Sequence, residues 1–202
     1  NMIDLAEKMG ISTWNDRSRF GLSLTLGGGE VTMADLTEVY GTFANSGEHL
    51  ELNPILEVTD YNGTIYYQNR CVLEGTNCEG EQVLRPETAY LITDILSDND
   101  ARTPAFGPYS TLNIPGQEVA VKTGTTNNLR DNWTIGYTSN RLVAVWVGNN
   151  DNTPMSYVAS GITGASPIWN SLMRMQLSEE NPHQFILPDG VIEAQVCKNQ
   201  TY

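Results

Sequence analysis

"AVKTGTTNNLRDNWTIGY", residues 120–137, reads as a strand, a polar loop and a second strand. Strand interiors favour β-branched and aromatic residues and are weakened by glycine. A Lys-Thr-Gly-Thr run inside one therefore calls for a chemical reason or a close backbone approach. Side chains alternate across a strand, which puts Thr123 and Thr125 on one face and Lys122 and Gly124 on the other. Two hydroxyls two residues apart, beside a cation, make a seat for a carboxylate. Gly124 would give a ligand access to the backbone with no side chain in the way. On these residues alone, an ordinary edge strand with a surface lysine and threonines is the better reading, since three residues match by chance often.

Working outward, the pattern predicts strands over 118–126, 132–138 and 141–148, with links short enough for antiparallel neighbours. The third, "RLVAVWVG", is apolar on both faces, as expected of a central strand covered by helices. A closing helix is predicted over 164–177, with Ile168, Leu172 and Met175 aligned. Upstream, "RPETAYLITDILSDND" reads as a helix with Pro86 in its first turn and Ala89, Ile92, Ile95 and Leu96 on one face. Residues 101–116 read as a Pro/Gly-rich connector. Asn62-Gly63 predicts a hairpin over 54–68, outside the main sheet or at its margin. Residues 1–10 form an amphipathic helix stopped by Gly10, with Ile3, Ala6 and Met9 or Leu5 inward. Gly27, Gly28 and Gly29 make a turn, and Thr32 caps a helix over 33–44. That turn lacks the Gly-Lys-Ser/Thr ending of a phosphate loop and places Glu30 where an anion would sit.

The chain has 202 residues, 40% of them hydrophobic, which suits one domain or most of one. A formal net charge of −13 argues against a nucleic-acid partner, though a local cation can still hold a small anion. There is no apolar run long enough to span a bilayer. The chain opens on Asn1 within a helical pattern, which points to a piece of a longer protein. Cys71 and Cys78 flank "CVLEGTNC"; they could close a disulfide loop in an oxidising compartment or remain two thiols in a reducing one. His49 and His183 lie in polar stretches and read as surface residues. Far apart, and without a second Cys pair, they suggest no zinc site.

Lys-Thr-Gly is also one of three signatures of the serine penicillin-recognising enzymes, alongside Ser-x-x-Lys and Ser-x-Asn or Ser-Asp-Asn. "KTGTTNNLRDNW", with Asp131 and Trp133 after the loop, resembles the transpeptidase domains of penicillin-binding proteins. "GGGEVTMADLTEVYGTFANSG", "ILSDNDARTPAFG" and "LVAVWVGNND" are similar to the same family, above all its bifunctional class A members. The resemblance covers residues 1–177 and implies an α+β fold, an antiparallel sheet flanked by helices, with 178–202 as an extended tail. No serine precedes a lysine by three positions, the lysines being Lys8, Lys122 and Lys198. The domain is therefore expected to be incomplete, without its nucleophile helix. Ser97-Asp98-Asn99 imitates the second signature, but it ends a helix close upstream of Lys122 and is read as a polar turn.

What the resemblance implies is a peptidoglycan D,D-transpeptidase that works through an acyl-enzyme and is a target of β-lactams. Lys122 would supply charge and assist proton transfer. Thr123 and Thr125 would hold the terminal carboxylate, the Thr125 N–H would complete the oxyanion hole, and Gly124 would keep the edge clear. No cofactor or metal is implied. The partners are stem peptides and β-lactams, and the parent would be membrane-anchored, extracytoplasmic, with an upstream glycosyltransferase domain. A serine β-lactamase or D,D-carboxypeptidase of the same fold, or a non-catalytic muropeptide-binding module, are the competing readings.

Overall fold

The structure, a computed structural model, describes residues 1–74, 78, 80–155, 163–178, 181–182 and 184–194. Along these run α1 (Met2–Lys8), α2 (Met33–Ala44), β1 (Glu48–His49), β2 (Glu57–Thr59), β3 (Ile65–Gln68), α3 (Arg70–Leu73) and β4 (Glu81–Gln82). They are followed by α4 (Pro86–Ser97), α5 (Asn99–Phe106), β5 (Ala120–Thr125), β6 (Asp131–Tyr137), β7 (Leu142–Gly148) and α6 (Ala165–Leu177). Local chemistry starts the helices. Thr32 and Asp35 form a reciprocal capping box at the head of α2, Asn1 and Asp4 do the same for α1, and Pro86 opens α4.

The main sheet is antiparallel in the order β5-β6-β7. Its register pairs Lys122 with Ile135, Thr123 with Thr134, Gly124 with Trp133 and Thr125 with Asn132. Paired residues share a face, so Val121, Thr123, Thr125, Asn132, Thr134, Gly136, Val143, Val145 and Val147 look one way. That face carries α6: Trp169, Met173 and Leu177 pack with Val119, Val121 and Val145 into one buried cluster. The opposite face meets α2 and α4. There Tyr137 contacts Tyr40 ring edge to ring face, and its hydroxyl shares a 2.9 Å hydrogen bond with Thr93. Burial pushes the Tyr137 phenol up to about 12, so this bond is made by the neutral group.

Several expectations change here. The strand read as central is an edge: β6 lies in the middle, and β7 bonds to it alone among the described residues. It is apolar on both faces because α6 covers one and α2 lies against the other, which is independent of what pairs at its sides. In α6 the inward stripe is Ala165, Ser166, Trp169, Met173 and Leu177, while Ile168, Leu172 and Met175 are exposed. In α4, Ala89 and Thr93 are buried and Ile92 and Ile95 exposed. The supposed connector begins inside α5, which starts where the Asp98 side chain caps the Ala101 N–H. Pro104 sits within this helix, and its missing N–H removes only one bond from so short an element.

The remaining expectations fall as follows. β2 and β3 form a hairpin apart from the main sheet, with Gly63 at φ 84°. In α1, Met9 at the C-terminus is buried, Ile3 and Ala6 half-buried and Leu5 exposed. Cys71 and Cys78 are joined by a disulfide. His49 is half-buried rather than superficial, its Nε2 3.2 Å from Glu38 Oε2. His183, Cys197 and Lys198 lie outside the described residues. Beyond α6, the Phe185 ring packs on Tyr137 and the Phe185 N–H donates to Glu118 at 3.0 Å.

Gly136 sets how closely α6 approaches. A Cβ there would overlap the Trp169 ring and lie 2.9 Å from the Ala120 carbonyl oxygen, so the indole seats only against a bare backbone. Gly136→Ala should lower the unfolding free energy by about 1–3 kcal/mol, the usual cost of overpacking. Chemical denaturation measures it, and an unchanged midpoint and slope would contradict this packing.

Candidate active site

The strand carrying Lys122 to Thr125 borders the sheet on one side, and its ladder phase decides what that border offers. Thr126 N–H donates to the Asp131 carbonyl at 3.0 Å, which marks 126 and 131 as a hydrogen-bonded pair. In an antiparallel ladder such pairs alternate with non-bonded ones. The N–H and C=O groups of Lys122 and Gly124 are thus spent on β6, whereas those of Thr123 and Thr125 face outward. Among the described residues no strand pairs with that edge.

Lys122 leaves the strand on the face opposite the threonines, as alternation requires. Its amine nevertheless returns to the same border: Nζ donates to the Thr123 carbonyl oxygen at 2.5 Å. The sequence alone gave no route for the lysine to share a site with the threonines. The curl of its four-carbon stem around the strand edge supplies one. Lys122 and Thr125 are exposed, Thr123 and Gly124 half-buried. One short edge therefore collects an ammonium and the outward N–H groups of Thr123 and Thr125, with the two threonine side chains on the adjoining face, a set suited to an oxyanion and a carboxylate.

Gly124 is not demanded by the protein's own packing. A Cβ there would meet only the Trp133 Cβ, at an ordinary 3.6 Å, and the residue does not sit at positive φ. The contrast with Gly136 is useful. One glycine is required by an internal neighbour, the other by nothing among the described residues.

The turn between β5 and β6 is held rigidly for a polar loop. Asp131 N–H donates to Thr126 Oγ1 at 2.8 Å, and the Asp131 carboxylate accepts the Trp146 indole N–H at 2.8 Å. Asn128 and Leu129 adopt left-handed conformations, and the Leu129 carbonyl accepts the Met155 N–H at 2.9 Å. Arg130 reaches the Asn152 carbonyl. Sequence reading picked out Asp131 and Trp133 as pattern matches; Asp131 is the clasp of the turn, and Trp133 packs on Trp146 with centroids 6.5 Å apart.

On the Lys122 side opens a cavity of about 1000 Å³ between the sheet, α1, the 22–31 segment and α2. Lys122, Trp133 and Ile135 line it from the sheet, and Leu5, Leu24 and Val39 from the helical side. A second cavity, about 860 Å³, lies between the end of α2, Tyr90, Thr93 and Phe185, away from Lys122. Ser97 is the last residue of α4 and its hydroxyl donates to the Asp94 carbonyl; Asp98 caps α5. These residues build the joint between two helices. Among the described residues no three His, Cys, Asp or Glu side chains gather to hold a metal ion.

Sequence reasoning missed Asn132. It is fully buried, its Oδ1 accepts the Ala165 N–H at 2.7 Å, and its Nδ2 donates to Thr125 Oγ1 at 3.1 Å. Its alternation with Thr134 and Gly136 was the available signal: three small or polar residues on the face that turned out to be covered by α6.

Comparison with known proteins gives a consistent result. Residues 3–174 match the family described as the penicillin-binding protein transpeptidase domain. Penicillin-binding protein 1A of Neisseria meningitidis is 31% identical over 173 residues, 86% of this chain and 21% of that protein. The chain thus spans about a fifth of the length of such relatives. Among solved structures, the penicillin-binding protein PonA1 of Mycobacterium tuberculosis superposes with a TM-score of 0.76 at 22% identity, over 98% of this chain and 56% of that one. The complex of PonA1 with penicillin V gives 0.74 at 24% identity, over 92% and 52%.

With nothing among the described residues crowding position 124, Gly124→Ala should shift the unfolding free energy by no more than about 0.5 kcal/mol. A thermal or denaturant melt checks this. A loss as large as that of Gly136→Ala would mean the strand edge is packed against the chain itself.

Proposed function

The chain belongs to the penicillin-binding protein transpeptidase family, and from that premise we propose that it forms one wall of a serine D,D-transpeptidase active site within a longer cell-wall cross-linking enzyme. The observation that carries the proposal is the outward edge of β5. There the Thr123 and Thr125 N–H groups face outward, the Lys122 amine curls round to the Thr123 carbonyl, and no strand among the described residues lies opposite.

The chemistry follows from the groups. A serine supplied from outside this chain attacks the carbonyl between the two terminal D-alanines of a stem peptide. The carbonyl oxygen becomes negative as the bond forms, and the outward Thr125 N–H lies where it can donate to it. The peptide's terminal carboxylate takes hydrogen bonds from Thr123 and Thr125, which fixes the scissile bond along the strand. Lys122 raises the local positive potential and can pass a proton as the leaving D-alanine amine departs. The resulting serine ester is attacked by an amine of the acceptor strand, which forms the cross-link and frees the serine. A β-lactam presents a carboxylate and a strained carbonyl in the same relation and stops at the ester. The bare Gly124 lets either backbone lie close against the strand.

The cavity beneath Lys122 fits this scheme. About 1000 Å³ equals roughly two turns of helix 10–12 Å across. An apolar helix seated there would bring a serine beside the lysine, which supports a position in it for the Ser-x-x-Lys helix of the parent. The Cys71–Cys78 disulfide supports an oxidising compartment, in keeping with an extracytoplasmic domain of a membrane-anchored parent that also carries a glycosyltransferase domain.

In the full-length parent, Thr123→Val and Thr125→Val remove hydroxyls while nearly preserving shape. Each hydrogen bond to a charged group is worth roughly 1.5–3 kcal/mol, so each variant should slow penicillin acylation about ten- to a hundredfold. Lys122→Ala should slow it more; Lys122→Ala and Thr123→Val should leave the melting temperature nearly unchanged, whereas Thr125→Val, which takes the acceptor from the buried Asn132 amide, should lower it modestly. Second-order acylation constants decide the matter. Near-wild-type rates in all three would return this edge to an ordinary solvated strand.

A further inference from the structure

Asn132 is a fully buried amide on the central strand, and burying an amide is costly unless both its ends are bonded. Here they are, and the partners leave no freedom in how the side chain lies. The Ala165 N–H, at the first residue of α6, can only donate, so the group 2.7 Å from it must be the carbonyl end of Asn132. The amino end then faces Thr125 Oγ1 at 3.1 Å, with the Gly124 carbonyl at 3.5 Å. An amino group only donates. Thr125 Oγ1 is therefore held as an acceptor, and its own proton has to be donated elsewhere. Among the described residues nothing takes it, and Thr125 is exposed at the open edge of the sheet.

We propose that Asn132 is a positioning residue for carboxylate recognition: anchored by the start of α6, it holds the Thr125 hydroxyl as an outward-pointing donor. The inference rests on the reading of Thr125 given above and deepens it. A threonine hydroxyl left to itself rotates and can serve as donor or acceptor. Fixing it as a donor before the substrate arrives removes an ordering step and favours an anion over a neutral group at that spot. Among the described residues no such bond to the hydroxyl of Thr123 accompanies it, so Thr125 is the better prepared of the pair. An acidic side chain at 132 could still accept the Ala165 N–H through one oxygen. Its second oxygen would draw in the Thr125 proton, reversing the bond and taking the donor away from the edge.

The test uses the full-length parent, a penicillin with a free carboxylate and the methyl ester of the same penicillin. The ratio of their second-order acylation constants reports carboxylate recognition, and melting temperature reports folding. In Asn132→Asp the acid should slow about ten- to a hundredfold while the ester changes little, so the ratio falls by the same factor. Asn132→Ala, which deletes both bonds and adds no charge, should lower the ratio several-fold, and it remains informative should the acidic variant fail to fold. In a Thr125→Val background, Asn132→Asp should produce no further fall. Three results in the Asn132 variants would overturn the inference: a wild-type ratio in the folded variants, equal losses on acid and ester, or an undiminished loss in the Thr125→Val background. The second would make Asn132 merely structural, and the third would trace its effect to charge repulsion. A wild-type ratio in Thr125→Val alone would overturn the role of Thr125 and this inference with it.

Discussion

The seating of Trp169 against the bare backbone of Gly136 is the contact on which the rest depends. It fixes the depth of α6 on the sheet, and with it the buried cluster that joins α6 to Val119, Val121 and Val145. Because the indole lies over the central strand, α6 covers β6 and β7 and leaves the far end of β5 uncovered. Thr125 is exposed for that reason. The start of α6 lies close enough for the Ala165 N–H to reach Asn132. One glycine–tryptophan contact thus stabilises the core and positions the edge.

An unpaired strand edge is ordinarily a hazard, because its free N–H and C=O groups can template pairing with another chain. Proteins commonly blunt such edges with a lysine, and Lys122 satisfies that purpose as it stands: its amine caps the Thr123 carbonyl at 2.5 Å. The same arrangement suits catalysis, since a short extended substrate is itself a strand and can dock along the border. What separates the two readings is Gly124. Protecting an edge favours side chains over bare backbone, and a Cβ would fit here without clash among the described residues, yet none is present.

The strands were legible in the sequence to within a residue or two, since alternation and short polar links both carry through to β5, β6 and β7. Edge and centre were not legible, because the two-sided apolar pattern of "RLVAVWVG" reports covered faces and says nothing about lateral pairing. In α6 two apolar stripes coexist on one helix. Only the partner surface, with Gly136 opposite Trp169, selects between them. α5 was hidden by Pro104, whose local signal outweighs a cap that works through Asp98. His49 looked superficial because Glu38, its partner, lies on another element. Of the site, the types and spacing of Lys122, Thr123, Gly124 and Thr125 were readable. The route of the lysine to the edge and the part played by Asn132 depend on ladder phase and on α6, which are tertiary facts.

On the proposed function, this chain contributes the anion-holding wall of an acylation site and the nucleophile comes from another part of its parent. The most direct measurement is to acylate the purified full-length protein with a penicillin, digest it, and locate the penicilloyl adduct by mass spectrometry. One adduct is expected, on a serine outside residues 1–202 and three positions before a lysine, with every peptide of this chain unmodified. A stoichiometric adduct on any residue of this chain, lost on prior denaturation, would contradict it.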